Sequence, residues 1–301
     1  MKKKHLIVCG FLAVLFVWAF GACSKGRGSD NSSTVKEERL TGTDSFTFTL
    51  IKGGTEYIVS KGTATVGAVN IPAYYRPDSK SDYLPVTEID KDAFRDCENI
   101  TSITIPSTVK SIGKNSFSGC EYLTGSVTIP EGVTEIGGNA FYGCARLTSI
   151  TILAGVTSIG DYAFCYCTSL TSITILAGVT YIGDYAFFRC TSLTSIAIPA
   201  GVTYIGDWAF YNCTSLTSIA IPAGVTYIGK EAFAYCTGLI SITIPASVQN
   251  IGDSAFAGWT SSQTIDIPFT NASEVEAAWG RRWGWLGDCY AVLFFDGKRI
   301  W

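Results

Sequence analysis

Histidine is almost absent from this chain, which has one among its 301 residues, at position 5. That residue lies in an N-terminal segment that we expect to be removed on export, so we expect none in the mature protein. A Ser/His/Asp triad, a Cys/His nucleophile pair and a histidine-ligated zinc site all need an imidazole ring. The sequence therefore excludes these classes of site, and we expect neither an enzyme nor a bound cofactor or metal.

Charge is also scarce, at 16% Asp, Glu, Lys and Arg, and it is nearly balanced, with a formal net charge of −3. A nucleic-acid-binding domain needs a basic patch or stripe that neutralises phosphates. The composition offers none, so we expect no nucleic-acid partner.

The dominant feature of the chain is one sequence motif, which occurs in eight copies: I-G-x-x-A-F-x-x-C-x-x-L-T-S-I-x-I-P-x-x-V-T-x. The phenylalanines of successive copies are 23 residues apart, except for one 24-residue step, where we expect Gly125 to form a bulge or a widened turn. These phenylalanines are Phe94, Phe117, Phe141, Phe164, Phe187, Phe210, Phe233 and Phe256. So short a unit cannot bury its apolar face alone and must stack on its neighbours, which predicts a solenoid with a long exposed surface.

Within one unit the residue pattern predicts a strand and a return path. Ile196 and Ile198 alternate with small or polar residues, as expected of a strand with one buried face. Pro199 has no N–H to donate and ends the strand. We expect a second bend at Gly206, after which Phe210 fills the interior. Because neighbouring units repeat these requirements, equivalent strands are expected to lie side by side.

The repeated motif resembles the BspA-like, or treponemal-type, leucine-rich repeat. The match spans about Val86 to Pro268, and eight copies of a pattern with many positions make it specific. The resemblance implies an α/β-type repeat solenoid, right-handed and curved, with a parallel β-sheet on one face. It also implies a bacterial surface protein that binds host or microbial proteins, and it brings no catalytic residues.

Seven of the 11 cysteines occupy one repeat position, which Trp259 takes in the eighth copy. They are Cys97, Cys120, Cys144, Cys167, Cys190, Cys213 and Cys236. We interpret them as a reduced column of buried, apolar thiols. Disulfides between neighbouring repeats are the alternative, because stacked strands lie ~4.8 Å apart, within the Cα separation that a disulfide tolerates. An odd column cannot pair fully, and Cys165, which lies outside it, is predicted to be a more exposed thiol.

The N-terminus has the features of an export signal with an anchor. Residues 1–22 combine three lysines, an apolar run and then small residues, which is the order of a lipoprotein signal peptide. The small residues before Cys23 resemble a bacterial lipobox, from which Phe20 departs. We expect Cys23 to carry a lipid, and ordinary export with an incidental cysteine is the alternative. Residues 23–44 are polar, which predicts a flexible tether.

Both ends of the repeats, which we place at residues 87–268, need a cover. We expect a β-rich N-terminal cap over residues 45–86 that begins with a β-hairpin. Residues 269–301 are predicted to form a small C-terminal cap, with a helix that starts near Ser273 and a terminal hairpin. Three tryptophans of this cap are interpreted as a plug on the last repeat, with a ligand stack as the alternative: Trp279, Trp283 and Trp285.

Two exposed lanes of side chains are predicted to bind a partner. The first is uncharged and lies on the outer face of the strands, where hydroxyl groups recur: Ser172, Thr174, Ser195 and Ser218. The second is aromatic and takes up two repeat positions, with Tyr181, Tyr204 and Tyr227 at one and Tyr162, Tyr185 and Trp208 at the other. Repeated aromatic side chains are typical of interface hot spots. Duplication of a parent unit is the alternative explanation for both lanes.

We therefore expect a monomeric, lipid-anchored protein of the outer membrane or cell surface that binds other proteins through its solenoid, as an adhesin for host matrix or host cells. A carbohydrate-binding module is one alternative, because exposed tyrosine and tryptophan rings also stack on sugars. A periplasmic scaffold without an adhesive role is another. A carboxylate enzyme is disfavoured, because the candidate acids recur at one repeat position, which indicates a turn residue: Asp161, Asp184, Asp207 and Asp253.

Replacing Cys23 with alanine tests the anchor. Because a lipid on this residue is the membrane attachment that the sequence predicts, Cys23→Ala should move the protein from the detergent phase to the aqueous phase in a phase-partitioning assay. The unaltered protein is the control. Unchanged partitioning of the variant would contradict the lipid anchor.

Overall fold

Each repeat forms two β-strands in the computed structural model. The structure describes residues 46–62, 67–269, 273–274, 292–295 and 298–299. These residues belong to one compact unit, residues 42–301. The predicted signal peptide, lipid site and tether lie outside the described residues, as do the predicted helix beyond residue 274 and the tryptophan plug. The strands are, in chain order, β1 (Phe46–Ile51), β2 (Glu56–Lys61), β3 (Gly67–Asn70), β4 (Tyr74–Tyr75), β5 (Leu84–Ile89), β6 (Ile100–Thr104), β7 (Ser111–Ile112), β8 (Gly125–Ile129), β9 (Glu135–Ile136), β10 (Leu147–Ile152), β11 (Ser158–Ile159), β12 (Ser172–Ile175), β13 (Tyr181–Ile182), β14 (Ser195–Ala197), β15 (Tyr204–Ile205), β16 (Ser218–Ala220), β17 (Tyr227–Ile228), β18 (Ser241–Thr243), β19 (Asn250–Ile251), β20 (Thr264–Ile267), β21 (Val292–Phe295) and β22 (Lys298–Arg299).

The longer strand of each repeat lies beside the same strand of the next repeat. β8, β10, β12, β14 and β16 form a five-stranded parallel sheet, in which Ser172 pairs with Ser195 and Ser195 with Ser218. β18 pairs in parallel with β20, and β3 with β6. The predicted repeat solenoid with a parallel β-sheet face is confirmed. Within residues 67–269 the return paths consist of turns and short strands and hold no helix.

A second parallel ladder runs along the solenoid, built from the two-residue strands β7, β9, β11, β13, β15, β17 and β19. The paired residues are again one repeat apart in the sequence, so that Tyr181 pairs with Tyr204 and Tyr204 with Tyr227. The residue pattern predicts only a bend here, because two residues are too few to show an alternation. This short-strand ladder positions half of the predicted aromatic lane.

A hairpin lies at each end of the described chain. β1 and β2 are antiparallel and pair Phe46 with Lys61 and Ile51 with Glu56. β2 then pairs in parallel with β5, and β5 with β7, so this hairpin extends the short-strand ladder past the first repeat. At the other end β20 pairs in parallel with β21, which turns back antiparallel onto β22. These are the two hairpins that the sequence predicts.

The core is a set of columns in which each apolar side chain packs on its copy in the next repeat. The eight phenylalanines are fully buried, and neighbouring ring centroids lie between 5.1 and 5.9 Å apart with nearly parallel planes. Columns of isoleucine, leucine, valine and alanine surround them. Truncating one buried phenylalanine to alanine costs about 3–5 kcal/mol in a typical core, so this column is a major source of stability.

The column cysteines are unpaired in the described structure, and all except Cys97 are buried. Each buried thiol donates a hydrogen bond to the carbonyl oxygen of a phenylalanine in the preceding repeat, as Cys190 Sγ does to Phe164 at 3.2 Å. Burial raises the pKa of these thiols, to about 12 for Cys120, so they remain protonated donors and poor nucleophiles. In the eighth copy Trp259 Nε1 makes the same bond, at 2.9 Å to the carbonyl of Phe233. The prediction of a buried, structural column is confirmed, and its thiols are unpaired in the described structure.

The prediction that Cys165 is exposed is wrong, since its side chain is 1% exposed. The same repeat position holds Tyr142 in the preceding copy and Phe188 in the next. The ring of Tyr166 contacts both of these rings, at 5.7 and 5.5 Å, and so covers the small side chain between them. Burial raises the pKa of the Cys165 thiol to about 12, which makes it unreactive.

The extra residue of the 24-residue step lies at the irregularity that the sequence predicts, although the residue left unpaired there is Thr148 of the neighbouring strand β10. Gly125 has φ of 73°, a left-handed conformation that glycine adopts without steric cost. The pairing register between β8 and β10 shifts opposite it, between Leu147 and Ser149. The insertion is thereby absorbed locally, and the next repeat resumes the common register.

Ser116 carries the one buried side-chain oxygen of the described residues that has no hydrogen-bond partner. Every other repeat has alanine at this position. An unpaired buried hydroxyl costs about 1–3 kcal/mol, so Ser116→Ala is expected to raise the free energy of unfolding, measured by urea titration, by about 1–2 kcal/mol. Ser118→Ala, at a half-buried site in the same turn, is the control and should change it by less than about 0.5 kcal/mol. A loss of stability in the Ser116 variant would show that its hydroxyl has a partner.

Candidate functional site

The predicted aromatic lane forms two stacked columns on the short-strand side of the solenoid. In the first, the tyrosine column, Tyr181, Tyr204 and Tyr227 stack with ring centroids 4.8 and 4.7 Å apart. In the second, the mixed column, Tyr162, Tyr185 and Trp208 stack at 4.4 and 4.8 Å. The structure thus brings all six predicted aromatic residues together, in what we call the aromatic face.

All six rings are half-buried, where the sequence predicts an exposed set. The reason is the stacking itself, because each inner ring has a neighbour on both of its faces. The two inner rings, Tyr185 and Tyr204, present their edges and hydroxyl groups to solvent. Ring edges carry partial positive charge and hydroxyls donate hydrogen bonds, so the face offers directional polar contacts along with apolar area.

The backbone distinguishes the mixed column from the tyrosine column. Tyr162, Tyr185 and Trp208 have φ of 59°, 56° and 53°, in the left-handed region. The other five copies hold small or polar residues at this left-handed position, namely Asp92, Asn115, Asn139, Glu231 and Ser254. Asparagine and aspartate tolerate the conformation, whereas a bulky residue held there costs about 1–3 kcal/mol. Three consecutive bulky rings therefore occupy a position whose backbone suits small polar residues. Tyr166 and Tyr235, two residues after the core phenylalanines, have the same left-handed conformation.

A column of aspartates runs between the two aromatic columns in the chain. The Oδ1 atoms of Asp161, Asp184 and Asp207 each accept a hydrogen bond from the backbone N–H one repeat later, at 2.9, 2.8 and 2.7 Å. The interpretation of these residues as structural turn residues is confirmed. The Tyr227 hydroxyl also donates to Asp207, at 3.5 Å.

Burial and nearby carboxylates keep the tyrosine column protonated. Burial, followed by the charges of the aspartates, raises the pKa of Tyr181 and of Tyr227 above the ordinary value. The pKa of Tyr204 is raised for the same reasons, and burial raises the pKa of Tyr185 to about 12. The face therefore presents neutral hydroxyl donors next to a row of carboxylates.

A third group of rings, which the sequence analysis misses, widens the aromatic face. In this outer cluster neighbouring rings lie 4.9–5.7 Å apart, and the guanidinium of Arg189 lies 5.8 Å from two of them. Tyr185 of the mixed column contacts it through Phe188, at 5.4 Å. The cluster consists of Tyr142, Tyr166, Phe188, Tyr211 and Tyr235. Its members lie either one or two residues after the core phenylalanine, so no single repeat position contains all of them.

The predicted hydroxyl lane lies on the longer strands. Ser172, Thr174, Ser195 and Ser218 are exposed on β12, β14 and β16. The three serine hydroxyls make no hydrogen bond within the described part of the chain, whereas the threonines just before them bond to carbonyls one repeat earlier. A shallow groove of about 270 Å³ lies where β16 and β18 run side by side without pairing. The hydroxyl lane remains a candidate surface, and its side chains carry no charge.

Two further observations concern what the described residues hold. No group of three or more His, Cys, Asp or Glu side chains among them is placed to bind a metal ion. A search of the same part of the chain for a helix long and apolar enough to cross a membrane finds none.

Comparison with known proteins identifies the family. The family model of the BspA type leucine rich repeat region, in six copies, matches residues 87–214 and 157–278. The chain belongs to this family. A search of curated proteins gives no match.

Solved structures of bacterial repeat proteins are similar to this chain. The leucine rich repeat protein of T. pallidum, TpLRR, is 28% identical over 65% of this chain and 89% of its own, with a TM-score of 0.59. A leucine rich cell surface protein from Faecalibacterium prausnitzii is 22% identical over 84% of this chain and 94% of its own, with a TM-score of 0.35. The pneumococcal vaccine antigen PcpA is 17% identical over 74% and 80%, with a TM-score of 0.40. The T. pallidum protein shares the solenoid fold.

Asparagine substitutions test the strain of the mixed column. Tyr185→Asn loses ring stacking worth about 0.5–1.5 kcal/mol but relieves strain of similar size, so its free energy of unfolding should stay within about 1 kcal/mol of the unaltered value. Tyr204→Asn, the same change in a strand with ordinary φ, loses stacking and strand propensity and should cost about 1–2 kcal/mol. Urea titration compares the two. A larger loss at Tyr185 than at Tyr204 would contradict the strain argument.

Proposed function

We propose that this protein is exported, anchored in the cell envelope through a lipid on Cys23, and binds another protein through its aromatic face, as an adhesin for host matrix or host cells. The observation that carries the proposal is the mixed column, in which Tyr162, Tyr185 and Trp208 occupy a strained backbone position that polar residues fill elsewhere. Strain that persists in bulky residues is a feature of functional sites.

The chemistry of the face favours a protein partner over a small ligand. Two columns and the outer cluster cover several consecutive repeats, and tyrosine, tryptophan and arginine are the residues that dominate binding energy in protein interfaces. The inner ring faces are covered by their neighbours, so a partner contacts edges and hydroxyls. The row of aspartates gives the face negative potential, which favours a basic patch on the partner.

The N-terminal features support display at the surface. The signal, Cys23 and a polar segment of some 20 residues would hold the solenoid away from the membrane, because a flexible chain of that length has a root-mean-square reach of roughly 25 Å. Protease treatment of intact cells distinguishes the outer surface from the periplasm. Complete protection of the repeats on intact cells, with cleavage after lysis, would favour a periplasmic scaffold.

The binding test compares the two candidate surfaces in matched triple variants. Replacement of the tyrosine column, Tyr181, Tyr204 and Tyr227, with alanine should weaken binding to matrix proteins or host cells at least tenfold, since hot-spot truncations cost ~2 kcal/mol or more each. Replacement of Ser172, Ser195 and Ser218 with alanine is the control and should leave affinity unchanged. Affinity is measured by surface plasmon resonance and folding by thermal melts.

Two results would contradict the proposal. If the serine variant loses binding and the tyrosine variant keeps it, the hydroxyl lane is the binding surface. If the tyrosine variant unfolds, Tyr162, Tyr185 and Trp208 are replaced with asparagine instead, because asparagine suits their backbone. Full affinity in that folded variant would show that the aromatic face does not bind.

A further inference from the structure

Both aromatic columns end at the same repeat boundary, and each leaves one ring face without an aromatic neighbour there. Tyr185 covers one face of Tyr162 at 4.4 Å, and Tyr204 covers one face of Tyr181 at 4.8 Å. One repeat earlier, the equivalent positions hold Asn139 and Ser158, which have no ring to continue the stacks. The remaining faces of Tyr162 and Tyr181 therefore point toward this step in the surface.

The step forms a groove of about 370 Å³, within the range of small-molecule sites, which both tyrosines line. Its other walls include Lys114, Glu135, Asn139, Ser158 and Asp161. The side chains of Lys114, Glu135 and Asn139 make no hydrogen bond or ion pair within the described part of the chain. The groove therefore combines two aromatic faces with an ammonium, two carboxylates, an amide and a hydroxyl, and of the two carboxylates that of Asp161 already accepts the backbone N–H of Asp184.

The opposite end of the face is closed in a different way. The ammonium of Lys230 lies 4.9 Å from the centroid of the Trp208 ring, and so covers the end of the mixed column. Beyond Tyr227 the equivalent position holds Asn250. The two free tyrosine faces in one groove are thus a feature of the boundary before Tyr162 and Tyr181.

We propose that this groove binds a neutral saccharide, with one pyranose ring stacked on Tyr162 or Tyr181. A pyranose has an apolar face of C–H groups that packs on an aromatic ring. Its equatorial hydroxyls both donate and accept hydrogen bonds, which matches a wall containing Lys114, Glu135 and Asn139. The groove holds two carboxylates, Glu135 and Asp161, and one ammonium, Lys114, so a cationic side chain of a protein partner is the competing ligand that the experiment has to include.

The groove shares Tyr162 and Tyr181 with the proposed protein-binding face, but the two proposals are tested with different ligands and can therefore fail separately. Ligand-observed saturation-transfer NMR is carried out on the folded protein with the methyl glycosides of glucose, galactose, mannose and N-acetylglucosamine, and with their β-linked disaccharides. At least one of these probes should receive saturation on its ring C–H protons. Titration of that probe gives its Kd.

Three variants locate the site. Tyr162→Asn with Tyr181→Ser copies the residues of the preceding repeat and should weaken the probe at least tenfold. Glu135→Gln changes an exposed side chain, which leaves folding intact, and should weaken it at least threefold. Tyr227→Asn, which copies the following repeat at the far end of the tyrosine column, is the matched control and should leave the Kd unchanged.

Several outcomes overturn the proposal. These are no saturation transfer to any probe, equal weakening by Tyr227→Asn, or full affinity in both the Tyr162/Tyr181 and the Glu135 variants. A last arm uses N-acetyl-arginine amide. If it binds in the groove while no sugar does, the site recognises a peptide side chain and the saccharide proposal is wrong.

Discussion

Every part of this structure depends on one constraint, which is that each residue lies on its own copy one strand spacing away. A side chain can therefore recur only if it packs well against itself or against what the previous repeat presents to it. Phenylalanine meets phenylalanine, and the thiol of Cys190 meets the carbonyl of Phe164. Bare charges stacked at this spacing would repel, and Asp184 is tolerated because its carboxylate accepts the N–H of Asp207. The low charge content of the chain follows from the same constraint.

The constraint also determines what the surface can offer. An aromatic residue that recurs stacks on its own copy. The one inner ring of the tyrosine column, Tyr204, therefore has both faces covered and presents only its edge and hydroxyl to a partner. Ring faces are available only where a column stops. The end of the repeat pattern, as at Asn139 and Ser158, is therefore as informative about binding as the pattern itself.

How much the sequence reveals follows from how each feature is encoded. The solenoid, the phenylalanine core and the thiol column each depend on one residue type at one repeat position, and all are predicted. The short-strand ladder is missed because two residues such as Tyr204-Ile205 show no period. The burial of Cys165 is missed because it depends on Tyr166, whose position is offset by one residue from the rings that it contacts. The left-handed backbone of Tyr185 has no signal of its own, although asparagine at the equivalent position 139 hints at it.

The strained position explains how the surface can vary on so regular a scaffold. In a solenoid, stability is a sum of terms within repeats and between neighbours, so the strain of Tyr162, Tyr185 and Trp208 stays in their own repeats. These side chains lie outside the phenylalanine and thiol columns, which remain fully buried beneath them. Replacing asparagine with an aromatic residue at this repeat position changes the surface without altering the core. A left-handed turn position that most copies fill with polar residues is thus a place where the surface can change without a change in the core, at a cost in strain that stays local.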